Sequence, residues 1–301
     1  MATTGSVKSA PQQDQQKELR TYRGNCHCGA FVYEAELPEI RSVYDCNCSI
    51  CHKKGYLWVF AEARFEIVKG TDDVLTRYNF GPNKFTHKFC PTCATPVMAE
   101  YANGGKRGLN VRAIQGIDTW ALERRPYDGA SVGVQYVPPE HKGPLPAAID
   151  GHKLYTGSCH CGAVTVALMS KPLDETFDDE MIECNCSICV RNGYRWIYPQ
   201  NAQVVLFASD PSNIGRYGFA RHVMNKTFCR ICGVCMTNEY ANLTEEKRKA
   251  LGALPARGFG DSMKTRHPVN LRVFPDVDFT RLREPVHGNG ATRIPPEYVN
   301  P

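Results

Sequence analysis

Residues 44–60 read YDCNCSICHKKGYLWVF, and residues 182–198 read IECNCSICVRNGYRWIY. A CxCxxC triplet followed by an aromatic run, occurring twice, directs the search to an internal repeat before any secondary structure is assigned. Three more pairs surround it in the same order: YRGNCHCGA at 22–30 with YTGSCHCGA at 155–163, FCPTC at 89–93 with FCRIC at 228–232, and LNVRAIQGID at 109–118 with VNLRVFPDVD at 269–278. The spacing between copies grows from 133 (22 to 155) to 138 (44 to 182), 139 (89 to 228) and 160 (110 to 270), so insertions fall between motifs and never inside them. The chain reads as two copies of one domain in tandem.

Outside the motifs, short runs such as AFVYEAEL, FEIVKG, AVTVALM and VVLFAS carry the alternation and β-branched content of strands, punctuated by Gly, Pro and Asn. The expected architecture is mainly β: a polar, disordered tail over 1–19, a first domain over 20–137, a proline-rich linker over 138–153, and a second domain over 154–301. The late growth in spacing places an insert at 243–267, where Thr244, Glu245 and Glu246 followed by Lys247, Arg248 and Lys249 signal the one helix expected in the chain. A surface decoration and a lid both fit such an insert.

The 301 residues contain 15 cysteines, an odd number that excludes complete pairing in disulfides. The opening residues have no apolar run of the secretory kind, and no stretch has the length of a membrane span, so the expectation is a cytoplasmic protein whose cysteines bind metal. Thirty-six basic against 31 acidic residues, dispersed along the chain, argue against a nucleic-acid binder. The cysteines then divide as a ligand inventory. Structural zinc takes four ligands, whereas catalytic zinc commonly takes three and keeps a position open. Seven per copy divide as four plus three. Cys26, Cys28, Cys90 and Cys93, with Cys159, Cys161, Cys229 and Cys232, form closed sets that tie together remote parts of each domain. Cys46, Cys48 and Cys51, with Cys184, Cys186 and Cys189, form open sets. A histidine follows the first triplet at His52 but the second is followed by Val190, so an adjacent histidine is not a shared fourth ligand. Cys235 is left over, with Pro96 at its place in the first copy, and reads as a free buried thiol.

The succession GxCHCGA, CxCSxC, FCxxCG and NxR resembles the glutathione-dependent formaldehyde-activating enzyme family, which includes centromere protein V, across nearly all of both copies. Ala94 departs from the pattern where the second copy keeps Gly233. The resemblance implies tandem β-tent domains, each with a structural zinc and a catalytic-type zinc, and a carbon–sulfur lyase of the S-hydroxymethyl glutathione synthase type. Up to two Zn2+ per domain and glutathione as co-substrate follow, with a small thiol and an electrophilic metabolite as the partners.

The triplet cysteines are the candidate catalytic centre, and Arg195, near the second triplet, is the candidate for holding a glutathione carboxylate. His27 and His160 read as hydrogen-bond donors around the ligands, Trp58 and Trp196 as core, and Asn110, Arg112, Asn270 and Arg272 as a polar network at strand ends. The rival reading is a non-catalytic zinc scaffold or a module binding glutathione or protein, for which the short tail, with only Lys8, Lys17 and Arg20 as basic residues, lacks the long basic extension.

Overall fold

A computed structural model of the chain describes residues 18–61, 64–81, 85–102, 104–251, 262–293 and 296–301. The tail over 1–17 and the middle of the 243–267 insert lie outside the described residues. The first half contributes β1 (Leu19–Asn25), β2 (Val32–Pro38), β3 (Ser42–Cys46), β4 (Trp58–Ala61), β5 (Phe65–Lys69), β6 (Thr76–Tyr78), β7 (Phe85–Phe89), β8 (Pro96–Tyr101), β9 (Arg107–Asn110) and β10 (Glu123–Tyr127). The second contributes β11 (Lys153–Ser158), β12 (Thr165–Ser170), β13 (Ile182–Cys184), β14 (Trp196–Ile197), β15 (Val204–Phe207), β16 (Ile214–Tyr217), β17 (Met224–Cys229), β18 (Cys235–Tyr240), β19 (Val269–Asn270) and β20 (Val286–Gly288).

Each half builds a three-stranded sheet, β1-β2-β5 or β11-β12-β15, and a seven-stranded sheet, β10-β3-β4-β9-β8-β7-β6 or β20-β13-β14-β19-β18-β17-β16. The two orders correspond strand for strand. The fold is mainly β, and the repeat seen in the sequence recurs strand by strand in the sheets. Most pairings are antiparallel; β10 on β3 and β20 on β13 are parallel, which brings the segment after each last strand alongside the triplet that follows β3 or β13.

Burial explains the strand assignments. In β2 the half-buried Glu34 and Glu36 alternate with buried Tyr33, Ala35 and Leu37, whereas every residue of β12 is buried. Each such Val or Leu contributes about 1.5–3 kcal/mol on leaving water.

Four short helices occur among the described residues: α1 (Ser49–Lys54), α2 (Ser187–Asn192), α3 (Glu245–Ala250) and α4 (Gly290–Arg293). The expected helix is α3, with Thr244 Oγ1 accepting from Lys247 N at 3.3 Å. Helices α1 and α2 correct the expectation of a single helix. At six residues each they are too short to show a hydrophobic period, and they are closed by Gly55 and Gly193 in the left-handed conformation, with φ of 61° and 58°. No helix among the described residues is long and apolar enough to cross a membrane.

The halves are interlocked. Helix α1 packs on the 3-10 turn Leu271–Val273 of the second half, and α2 packs on Val111–Ala113 of the first. The helix-closing glycines meet, so that a Cβ on Gly55 would lie 3.0 Å from the Gly193 carbonyl oxygen, and one on Gly193 3.0 Å from that of Gly55. Arg112 Nε donates to Gly55 O at 2.6 Å, and Arg272 Nε to Gly193 O at 2.6 Å. These reciprocal contacts mark a local two-fold relation within one chain. The main core accordingly mixes Ile50, Tyr56 and Phe89 with Val166, Val273 and Phe274.

Candidate metal centres

The cysteines gather into four clusters, in each of which the sulfurs all lie within 4.8 Å of one another. Cys26, Cys28, Cys90 and Cys93 form one, where the turn after β1 meets the turn between β7 and β8, and Cys159, Cys161, Cys229 and Cys232 form its counterpart. Cys28 Sγ lies 3.6 Å from Cys26 Sγ and 3.5 Å from Cys90 Sγ, and Cys161 Sγ lies 3.6 Å from both Cys159 Sγ and Cys229 Sγ. A disulfide requires about 2.0 Å. Four thiolates around a tetrahedral zinc at about 2.3 Å stand roughly 3.8 Å apart, so the donor sets fit zinc. Backbone N–H groups of Phe31 and Val164 donate to Cys26 Sγ and Cys159 Sγ at 3.3 Å, an arrangement that favours thiolates. Ala94 holds the left-handed conformation (φ 57°) that Gly233 holds with φ 69° in the second half. The side chain there costs about 1–2 kcal/mol.

The triplets form the other two clusters. Cys46 ends β3, Cys48 is the N-cap of α1, and Cys51 lies within that helix; Cys184, Cys186 and Cys189 hold the same places around α2. Among the described residues no His, Asp or Glu joins either cluster. His52, the neighbour noted in the sequence, packs its ring against Phe279 of the other half with centroids 5.1 Å apart.

The Cys48 thiol, then that of Cys51, hold the Cys46 sulfur down to about 3, helped by the backbone N–H groups of Cys48 and Gly129. Cys186, Cys189 and the N–H groups of Cys186 and Gly290 do the same at Cys184, held down to about 2. Gly129 stands so near that a Cβ would fall 2.4 Å from Cys46 Sγ. Sequence reading missed Gly129 and Gly290, which reach the triplets only through the parallel pairing of β10 and β20. Trp58 Nε1 donates to Cys51 Sγ at 3.2 Å, whereas the equivalent Trp196 Nε1 is buried without a partner among the described residues.

Each triplet helix is seated on the four-cysteine cluster of the other half. Lys53 Nζ donates to the carbonyls of Ser158 and Val273 at 2.9 and 3.0 Å, and Lys54 Nζ to that of Cys232 at 3.0 Å. Burial pulls both ammonium groups down to about 8, opposed by Cys159 and Cys232 at Lys53 and mainly by Cys232 at Lys54. In the other direction Arg191 Nε and Nη2 donate to Asn25 O at 3.3 Å and Asn25 Oδ1 at 3.1 Å. Zinc on four thiolates carries a net formal charge of roughly −2, so these cations lie where they offset it.

The CxC histidines cross over as well. His27 shares hydrogen bonds with Ser187 Oγ and Tyr217 OH at 2.9 Å each, and His160 with Ser49 Oγ at 2.9 Å and Tyr78 OH at 2.7 Å. Burial lowers His27 to about 3 and His160 to about 4, so both rings are neutral at pH 7.

A cavity of about 930 Å³ opens at the second triplet. Cys184, Cys186, Cys189, Trp196, Lys226 and Asn238 line it from the second half, and Arg112 and residues 114–120 wall it from the first. Trp120 of that wall stacks on His287 with centroids 4.1 Å apart. Arg195 is not among the lining residues; it donates to Glu183 Oε1 at 2.8–2.9 Å and covers the Phe279 ring. Cys235 is buried, with its sulfur 3.5 Å from Asn192 Oδ1. Asn110 and Asn270 bond the Pro96 and Cys235 carbonyls, which ties β9 to the start of β8 and β19 to that of β18.

A crystal structure of a Rhodobacter sphaeroides protein is 31% identical over an alignment covering 35% of this chain and 97% of that one, with a TM-score of 0.32. Residues 21–124, which hold the first four-cysteine cluster and the first triplet, match the model of the glutathione-dependent formaldehyde-activating enzyme. The chain thus carries, over those residues, a domain of the glutathione-dependent formaldehyde-activating enzyme family.

Proposed function

We propose that the protein is a zinc-dependent carbon–sulfur lyase that makes or breaks adducts between glutathione, or a similar thiol, and an aldehyde or other electrophilic metabolite. The observation that carries this reading is the contrast between the two kinds of cluster. Four sulfurs close one kind, whereas three sulfurs make up the other with no fourth protein ligand among the described residues, and the second triplet faces a cavity. Zinc held by three thiolates supplies a soft position at which a substrate thiol loses its proton near neutral pH.

The chain's own groups prepare that position. Backbone N–H groups of Gly129 and Gly290 fix Cys46 and Cys184, and Trp58 Nε1–H does so for Cys51. In the synthetic direction the substrate sulfur gives its electron pair to the carbonyl carbon, a C–S bond forms, the C=O π pair moves to oxygen, and that oxygen takes the proton the thiol released. Cleavage reverses each movement. Residues 114–120 border the cavity at the second triplet, where a substrate would lie. The same reading divides the chain into domains over 20–137 and 154–301, joined by 138–153.

The test measures zinc content and glutathione binding for the wild type, Cys46→Ser with Cys48→Ser, and Cys184→Ser with Cys186→Ser. About four zinc per chain are expected, with about one lost in each double variant while the β-sheet spectrum persists. Triplet variants that unfold as fully as Cys26→Ser would make the triplets structural and leave the scaffold reading in place.

A further inference from the structure

The two triplets do not present the same surroundings. Strand register makes His87 the counterpart of Lys226, since His87 pairs with Tyr78 and Ala99, and Lys226 with Tyr217 and Asn238. Asn238 is therefore the counterpart of Ala99. In the first half His87 is 5% exposed and enclosed by Tyr56, Trp58 and Phe80, at centroid distances of 5.4, 6.1 and 5.7 Å. Burial keeps that ring neutral, lowered to about 3.

In the second half the Lys226 ammonium lies over the faces of Tyr194 and Trp196, 5.6 and 5.0 Å from the ring centroids, and lines the cavity. Glu180, Asp118 and Glu297 line it too, yet among the described residues none is paired with Lys226. Two polar groups beside it are buried and have no partner among the described residues: Asn238 Oδ1, on a side chain whose amide also offers N–H, and Trp196 Nε1. Asn238 is 6% and Trp196 1% exposed, and both line the same cavity. A buried N–H or amide left without a partner costs about 1–3 kcal/mol, so two unmet groups converging with the Lys226 ammonium beside three thiols describe a site shaped for a ligand.

We infer that Lys226, Asn238 and Trp196 form a carboxylate-binding subsite beside the second triplet, absent from the first, so that the second centre selects thiols or thiol adducts that carry a carboxylate. This rests on the reading of the triplets as thiol-binding centres. It adds the group that discriminates among thiols and the half of the chain in which discrimination occurs. Lysine suits the task as a point charge on a flexible stem, which the two rings hold without neutralising.

The experiment is calorimetric titration of the zinc-loaded full chain with 3-mercaptopropionate, 2-mercaptoethanol and 3-(methylthio)propionate, the last bearing the carboxylate without a free thiol. The proteins compared are the wild type, Lys226→Met, Lys226→Arg, and Lys226→His with Asn238→Ala, which installs the first half's pair. The expected result is one site per chain that prefers 3-mercaptopropionate to 2-mercaptoethanol by about tenfold or more. That preference should vanish in Lys226→Met and in the double variant, and survive in Lys226→Arg.

Equal affinities in the wild type, or a preference that persists in Lys226→Met, would overturn the inference and leave thiol binding intact. If neither thiol binds while 3-(methylthio)propionate binds in a Lys226-dependent way, the thiol reading falls and the carboxylate subsite stands. If none of the three binds, both fall.

Discussion

Lys53 gives the sharpest test of the interlocked architecture. Its side chain leaves the first half in α1 and ends 2.9 and 3.0 Å from two carbonyls of the second, Ser158 O and Val273 O, at 5% exposure. Methionine keeps the volume of the stem and removes the donor, so each carbonyl loses a hydrogen bond whose absence costs about 1–3 kcal/mol, or roughly 2–6 together. Part of this returns, because the ammonium no longer has to be buried, a strain already expressed in its fall from 10.5 to about 8. A net loss of about 1–3 kcal/mol remains. For a chain of this length that lowers the melting temperature by about 2–5 °C.

Scanning calorimetry on the zinc-loaded protein measures it. The wild type should melt in one transition, because Lys53 and Arg191 cross between halves in opposite directions. Lys53→Arg, which copies the residue found at the equivalent place in α2, should retain most of the stability. A Lys53→Met protein melting within about 1 °C of the wild type, a shift too small for one lost hydrogen bond, or a wild type melting in two separated steps, would refute the reasoning.

Three further outcomes are expected. His87 is lowered to about 3 by burial against an ordinary value of 6.5, so the unfolded chain binds the proton that the folded chain refuses. Stability should fall as pH drops from 6.5 toward 3 with a slope of up to about 1.4 kcal/mol per unit from this group, and urea titrations across that range should show a flatter slope for His87→Phe. Gly129→Ala places a methyl on the Cys46 sulfur, and zinc titration should show one weakened centre per chain, with the sites of the second half unchanged. Cys235 is buried and its thiol is pushed up to about 11, so iodoacetamide at pH 8 should leave it unlabelled in the native protein and label it once the chain is denatured.

Much of this molecule is written in local sequence. A CxC or CxxC pair places two sulfurs on one turn, so the grouping of the cysteines into four clusters was readable from spacing, and the repeated motifs announced two equivalent sets of sheets. The contacts that join the halves were not readable, for a physical reason. Lys53 and Lys54 look like solvated charges next to a cysteine motif, and their burial depends on carbonyls more than 100 residues away. Helices α1 and α2 escaped because six residues carry too little periodicity, although Gly55 and Gly193 stand at their ends as stop signals. Gly129 acquires meaning only once β10 lies parallel to β3. Lys226 was hidden by the alignment of motifs itself, since it falls between FCRIC and the preceding strand and is noticed only when the strand register sets it against His87.

The contact of Gly55 with Gly193 places the two cysteine triplets about a local axis inside one polypeptide. In an assembly of identical subunits every substitution appears at both centres, so neither can change without the other. Here each centre is encoded by its own stretch of chain, and a neutral, aromatic-lined thiol cluster can persist opposite a cation-bearing one. Assembly is also independent of dilution, because the partner surface is always tethered at high effective concentration. One half is therefore free to explore new ligands while the other keeps the scaffold that both require.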